Sequence, residues 1–330
     1  MFNRTTGIGL DIGSKRIKLV QVKKAGERLR IVKYGSMPTP AGLVEAGNIF
    51  DPERLGEEMA PLVEQLDLRG KKVVSAVSGQ QVYTRILILP RMSLKETKAT
   101  AIYQAVTYLP ISVEEAAMDV FLLRDFTDEE GKKQEVFFVA TPQLQVNNLE
   151  ICCRLAGLKL AAVEIEPLAL NRLLNPAEES GIWACVHLGA SRSYFSVFRD
   201  DLLLFYRTLT SFYENIKFII GEDRTDSEQI NIAEDSQFKF IVRDLAAEVG
   251  RSVEYFNIQN EQRIAGLYLS GGGASVQGLD QFLSTQISCP IYVADPISRF
   301  CVPSRADDAA KGGLNYDFTV ALGLALRGIV

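Results

Sequence analysis

No apolar run in this 330-residue chain approaches the roughly 18–20 residues that cross a bilayer. The opening residues, "MFNRTTGIGL", also lack the long apolar core of a signal peptide. Any link to a membrane is therefore expected to run through a partner. The five cysteines (Cys152, Cys153, Cys185, Cys289 and Cys301) are odd in number and show no zinc-ligand spacing. Adjacent cysteines on one helix cannot easily bridge, so a reducing, cytoplasmic setting is the expectation. An excess of positive charge is missing too. With 36 basic against 41 acidic residues the net charge is -5, which carries no signature of a nucleic-acid partner. Neither a Walker A loop nor the G-x-G-x-x-G dinucleotide pattern occurs.

What is present is 47% hydrophobic residues, enough for two domains or one large domain with insertions. Alternation in "GIGLDIGSKRIKLVQV", Gly7 to Val22, reads as two strands around a tight turn at Gly13-Ser14-Lys15-Arg16. Asp11 stands beside that bend. A carboxylate is costly to bury unpaired, so its place implies a solvent-filled cleft or a ligand. A third strand, "RLRIVKYGSMP", follows. Asp51 then caps a helix to about Leu68, with Pro52 at its first position.

"KKVVSAVSG" and "VYTRILILP" read as strands, and Ser93 caps a helix to about Leu109. "DVFLLRDF" and "QEVFFVATP" read as a hairpin, Gln143 to Ala156 as a helix closed by Gly157, and "LKLAAVEIEP" as a strand. Alternating strands and helices imply an α/β fold with more than one subdomain. Further on, a long helix is expected from about Phe238 to Gln259, and the C-terminal "FTVALGLALRG" reads as helix.

A weak internal repeat organises these pieces. "GLDIGSKRIKLVQV" aligns with "CVHLGASRSYFSVF", placing His187 opposite Asp11 and Gly189 opposite Gly13. Two such hairpins half a chain apart imply related halves that face each other across a cleft. "LSGGGA", between a strand and a helix, adds a turn where backbone amides approach a ligand closely.

In this order, the two hairpins, the glycine turn and the small-residue helix "ALGLALRG" resemble the actin-like ATPase superfamily. Within it the chain is most similar to the PilM family of type IV pilus assembly, relatives of the division protein FtsA. The resemblance extends through "VVSAVSGQQVYTRILILP", "FVATP" to "LAGLKLAAVEIEPLALNRLL", "LAAEVGRSVEYF" and "LSGGGASVQGLDQFLSTQISCPIYVADPI". It implies a two-lobed actin-like fold, with ribonuclease H-like duplicated lobes and a small α/β insert in the first. The first-lobe core would comprise residues 1–75, 161–183 and 314–330, the insert 76–160, and the second lobe 184–313 with a subdomain at about 207–264.

The same resemblance implies ATP and Mg²⁺ in the cleft. Phosphate contacts would fall to Gly13, Ser14, Lys15, Lys18, Gly189, Ala190, Ser191 and Ser193. Adenosine contacts would fall to Gly271, Gly272, Gly273, Ala274 and Glu248, and Asp11 would hold the metal through water. Successive turn amides make an anion-binding concavity and a carboxylate suits Mg²⁺, so the chemistry is coherent.

Two positions depart from the family pattern. His187 replaces an acidic residue, and imidazole is a poor Mg²⁺ ligand, so nucleotide binding without efficient hydrolysis is expected. Near the ribose, "NIAEDSQFKF" has Glu234 but puts Gln237, not a lysine, one turn later, with Lys239 beyond.

The partners implied are the cytoplasmic N-terminal peptide of a PilN-like inner-membrane protein, docked between first-lobe core and insert, and other pilus platform proteins. An actin-like kinase, an FtsA-like filament and a type II secretion platform remain alternatives, since fold alone does not fix function.

Overall fold

A computed structural model describes residues 5–174, 181–200, 202–209, 212, 236–302, 314–327 and 329. Glu234 and the side chain of Gln237 lie outside the described set. The chain begins with β1 (Thr6–Ile12), β2 (Arg16–Ala25) and β3 (Arg28–Pro38), followed by the short β4 (Val44–Glu45) and β5 (Asn48–Ile49). Helix α1 (Pro52–Gln65) starts where Asp51 Oδ1 accepts the Arg54 N–H at 3.0 Å, a cap worth about 1 kcal/mol. Its Leu55, Met59, Leu62 and Val63 recur at helical spacing and are buried.

Next come β6 (Lys72–Val77), β7 (Tyr83–Pro90), α2 (Leu94–Ala105), β8 (Ala116–Asp128), β9 (Gly131–Pro142), α3 (Gln143–Leu155), β10 (Lys159–Ile165) and α4 (Glu166–Leu174). The second half holds β11 (Ile182–Leu188), β12 (Ser193–Arg199), β13 (Leu202–Leu209), α5 (Ser236–Asn260) and β14 (Gly266–Ser270). It ends with α6 (Leu279–Ser284), β15 (Ile291–Val293), β16 (Phe300–Cys301) and α7 (Thr319–Leu326).

Two sheets carry the architecture, and their strand orders match over five strands, the first adding β16 parallel to β3. The first runs β10-β6-β1-β2-β3-β16 and the second β13-β12-β11-β14-β15. In each, an antiparallel three-strand meander is extended by two parallel strands beside its first strand. Matching registers place Asp11 opposite Lys18 in the first hairpin and His187 opposite Tyr194 in the second. Every residue of β11 is buried, as expected of a strand covered on both faces.

Small residues explain how the first sheet meets its helices. A Cβ on Gly7 or Gly9 of β1 would overlap the carbonyl oxygens of Ala325 and Ala321 on α7. A Cβ on Gly323 of α7 would overlap the Ala169 carbonyl on α4. Backbones of β1, α7 and α4 thus stack directly, which the run "ALGLALRG" permits.

β7, β9 and β8 form a separate sheet in that order. With α2 it encloses its own core, including Leu87, Leu89, Ala101, Val136 and Phe138. Helix α3 follows this sheet in the chain but packs on α1, where a Cβ on Gly56 would lie 2.8 Å from the Cys152 carbonyl oxygen. Gly157, at φ +81°, closes α3, and the Leu158 N–H returns to the Cys153 carbonyl at 2.7 Å.

Three expected boundaries shift. α1 ends at Gln65 rather than near Leu68, as Asp67 at φ +49° turns the chain out of the helix. α2 ends at Ala105 rather than near Leu109, and the chain passes through a turn in which the Leu109 N–H donates to the Ala105 carbonyl at 2.9 Å. The strand expected through Pro167 ends at Ile165, and Glu166 opens a helix whose first turn tolerates that proline.

Candidate functional site

Between the two sheets lies a cavity of about 570 Å³. Its walls come from the first turn (Gly13 to Arg16), the second turn (Gly189 to Arg192) and the glycine turn (Gly271 to Gly273), with Tyr316 and Asp317 just before α7. Each hairpin turn is closed in the same way. The Gly13 N–H donates to the Arg16 carbonyl at 3.2 Å, and the Gly189 N–H to the Arg192 carbonyl at 2.9 Å. A Cβ at either glycine would press on that carbonyl, at 2.9 and 2.7 Å. Gly271 has φ +83°, and a Cβ there would sit 2.6 Å from the Leu188 carbonyl oxygen. Three tight backbone turns therefore converge on one space.

The two hairpins arm that space differently. Asp11 Oδ2 accepts from Lys18 Nζ at 2.9 Å, and both side chains are mostly buried. Burial opposes the Lys18 ammonium, but the charge and hydrogen bond of Asp11, with the charges of Asp317 and Glu166, together hold the lysine pKa above its ordinary value. In the second hairpin the His187 ring stacks on Tyr194, with centroids 5.0 Å apart, and its Nδ1 lies 2.8 Å from Ser270 Oγ. Burial lowers the His187 pKa to about 3, with Asp11 acting against it and Lys18 and Arg192 reinforcing it. The imidazole is neutral. Burial also pushes the Tyr194 hydroxyl well above its usual range. At the lobe junction Arg192 Nη2 reaches Glu166 Oε1 at 3.3 Å.

Of the residues expected to hold nucleotide, Asp11, Gly13, Ser14, Lys15, Lys18, Gly189, Ala190, Ser191, Gly271, Gly272 and Gly273 are brought to this cavity. Ser193, Ala274 and Glu248 are not among its lining residues. Ser193 is fully buried as the first residue of β12, a strand buried along nearly its whole length. Ala274 is buried in the turn after Gly273, and Glu248 on α5 lies 3.7 Å from Arg207. Sequence reasoning missed Glu166, Arg192, Tyr316 and Asp317. Glu166 carried a usable signal, because Glu-Pro after a strand is a common helix opening; Arg192 carried none.

A second cavity, about 620 Å³, separates the first sheet from the β7-β9-β8 sheet. Consecutive residues Ala117 to Phe121 of β8 and Val163 to Ile165 of β10 line it. Both strands are the last in their sheets, so their open edges flank the groove. Phe137, Val139, Val146 and Leu168 make its walls apolar. Its polar floor is a network in which Glu164 accepts from Arg172 at 2.9 Å and from Arg327 at 2.6 Å. Asn171, 3% exposed, has an Oδ1 with no hydrogen-bond partner among the described residues.

The sequence model of the family described as "Type IV pilus assembly protein PilM" matches residues 9–329. The chain belongs to the PilM family. A solved PilM-PilN type IV pilus biogenesis complex contains a chain 28% identical to this one, matching over 98% of both chains with a TM-score of 0.83. More remote structures share the fold. The ethanolamine utilization protein EutJ from Carboxydothermus hydrogenoformans is 14% identical over 97% of this chain and 89% of its own, with a TM-score of 0.57. MreB5 of Spiroplasma citri, solved with ADP, is 9% identical over 88% and 92%, with a TM-score of 0.50. PilM membership and these neighbours establish the two-lobed actin-like fold. Among the described residues no helix is long and apolar enough to cross a membrane.

Proposed function

We propose that this type IV pilus assembly protein is a cytoplasmic platform component that captures the N-terminal peptide of a PilN-like inner-membrane protein and binds ATP with Mg²⁺ between its lobes. The observation that carries the partner reading is the groove between two open strand edges. An extended peptide adds its backbone to such an edge while its alternate side chains enter apolar walls. Asn171 Oδ1 would accept one N–H from the peptide, and Arg172 and Arg327 would accommodate its carbonyls. Through that peptide the protein would be held at the inner membrane, beside other platform proteins.

The cavity fits a nucleotide by the chemistry of its walls. Turn amides at Ser14 and Lys15 and at Ala190 and Ser191 would hold phosphate oxygens while Gly13 and Gly189 keep the turns closed, Lys18 would add charge, and Gly271 to Gly273 would face the adenosine. Asp11 would orient a hydrated Mg²⁺. Among the described residues no group of three or more His, Cys, Asp or Glu side chains could cage a metal. Phosphate oxygens and water would therefore complete the shell, as Mg²⁺ prefers. When bound, the ion offsets phosphate charge. Neutral His187, engaged with Ser270, supplies no carboxylate on the second side, so hydrolysis would be slow.

Calorimetry tests both halves. Asn171→Leu and Phe121→Ser should each weaken a PilN N-terminal peptide at least tenfold; unchanged affinity in both would refute the groove. Asp11→Asn should reduce the Mg²⁺-dependent part of ATP affinity, and equal binding by wild type and variant would remove Asp11 from the metal's environment.

A further inference from the structure

Arg192 belongs to the second lobe, as the last residue of the β11–β12 turn, yet its side chain ends in the first. Its Nη2 donates to Glu166, the first residue of α4, and the two side chains are only 14% and 10% exposed. Its Nη1 is buried with no hydrogen-bond partner among the described residues. A Cβ on Gly47 would collide with Nη1, and one on Gly79 would lie 3.4 Å from it. These glycines adopt φ +85° and +108°, a backbone region that favours glycine. Their loops also touch each other, since a Cβ on Gly79 would sit 2.6 Å from the Ala46 carbonyl oxygen.

Three separate segments of the first lobe, at 46–47, 78–79 and 166, thus close around one guanidinium from the second. The matching residue of the first hairpin does nothing comparable. Arg16 is exposed and reaches Ser36 Oγ of its own sheet at 2.6 Å. Crossing between lobes is therefore a property of Arg192 and its socket, and the turn geometry alone does not require it.

We propose that Arg192 is a positioning residue: keyed into this socket, it sets the separation of the two turns that would grip the nucleotide's phosphates. The proposal rests on the nucleotide reading above for its purpose, and on the socket alone for its mechanics. A triphosphate that bridges both turns is held only if their spacing is fixed beforehand, because freedom between the lobes must be lost on binding. A planar guanidinium suits the role. It fills a flat slot and directs N–H groups along fixed vectors, which an ammonium does not.

The test uses the full chain with Arg192→Ala, Arg192→Lys and Glu166→Gln, followed by hydrogen exchange, by calorimetry with Mg²⁺-ATP, and by calorimetry with a PilN N-terminal peptide. Arg192→Ala should raise exchange at least tenfold at residues 44–50 and 78–82 while the β1–β2 hairpin is unchanged. It should weaken Mg²⁺-ATP by about tenfold or more and leave peptide affinity within twofold. Lysine should rescue part of the loss, and Arg192→Ala with Glu166→Gln should be no worse than Arg192→Ala alone. Unchanged exchange in both segments, or a rise spread evenly over the chain, overturns the key. If wild type binds no nucleotide, the nucleotide reading falls, and the exchange pattern still decides whether Arg192 locks the lobes.

Discussion

The two hairpins occupy the same place in sheets of the same strand order, and they are chemically unlike. Across the first, Asp11 faces Lys18 as an ion pair; across the second, His187 faces Tyr194 as a neutral ring stack. Their turns are nevertheless closed by equivalent hydrogen bonds, Gly13 to Arg16 and Gly189 to Arg192. The two hairpins share the backbone device and differ in the side chains around it. The facing pair is thereby charged in one hairpin and neutral in the other. One hairpin also keeps its arginine at home while the other sends it across the cleft.

The comparison breaks most severely if one hairpin's residue is imported into the other. Gly9 matches Cys185, and Gly9→Cys would drive a side chain into the Ala321 carbonyl on α7. A loss of roughly 4 kcal/mol in urea unfolding is expected, and wild-type stability would mean α7 does not seat on β1 as described. Next in size, Asp11→Ala strands the Lys18 ammonium in a mostly buried place. Roughly 3 kcal/mol should be lost in the same assay, whereas Asp11→His with Lys18→Tyr, which copies the second hairpin, should lose less.

The single histidine sharpens the contrast through pH. With a folded pKa near 3 against 6.5 unfolded, only the unfolded state gains this proton between those values. Its contribution is full above pH 6.5 and falls as pH drops, by at most roughly 1.4 kcal/mol per pH unit. Comparing pH 7.5 with pH 5, wild type should lose about 2 kcal/mol more than His187→Gln. Parallel denaturation curves across that range would place a charged imidazole in the folded protein. The smallest effect should be Arg16→Ala. This exposed residue should cost under about 0.5 kcal/mol by thermal melting and leave exchange at 44–50 unaltered, unlike Arg192→Ala.

Much of the fold was legible because its signals are local. Period-two alternation marked β1, β2 and β3, Asp51 and Ser93 marked helix starts, and Gly157 marked a helix end. The repeat placed the two hairpins in equivalent positions. Less local features escaped. β13, with the unalternating run "LLLFY", gives no period, and α4 begins inside a stretch whose sequence pattern is that of a strand. Glu248, an adenosine contact by resemblance, lies beside Arg207 on another element and does not line the cavity. The groove draws residues from Val77, β8, β10, α4, Leu203 and Arg327, so no window of sequence contains it.

The sequence by itself determined where the chain turns, which turns must be glycine, and what chemistry each hairpin carries. Backbone preferences and caps act over a few residues, so neighbouring side chains suffice to reveal them. Only the tertiary structure decided that Arg192 meets Glu166, that Glu164 gathers two arginines beneath the groove, and that two edge strands from different sheets line that groove. Those meetings depend on how closely α7 packs on β1 and α4 on α7. That packing is a balance of many small contacts between residues far apart in the chain, and no local pattern encodes it.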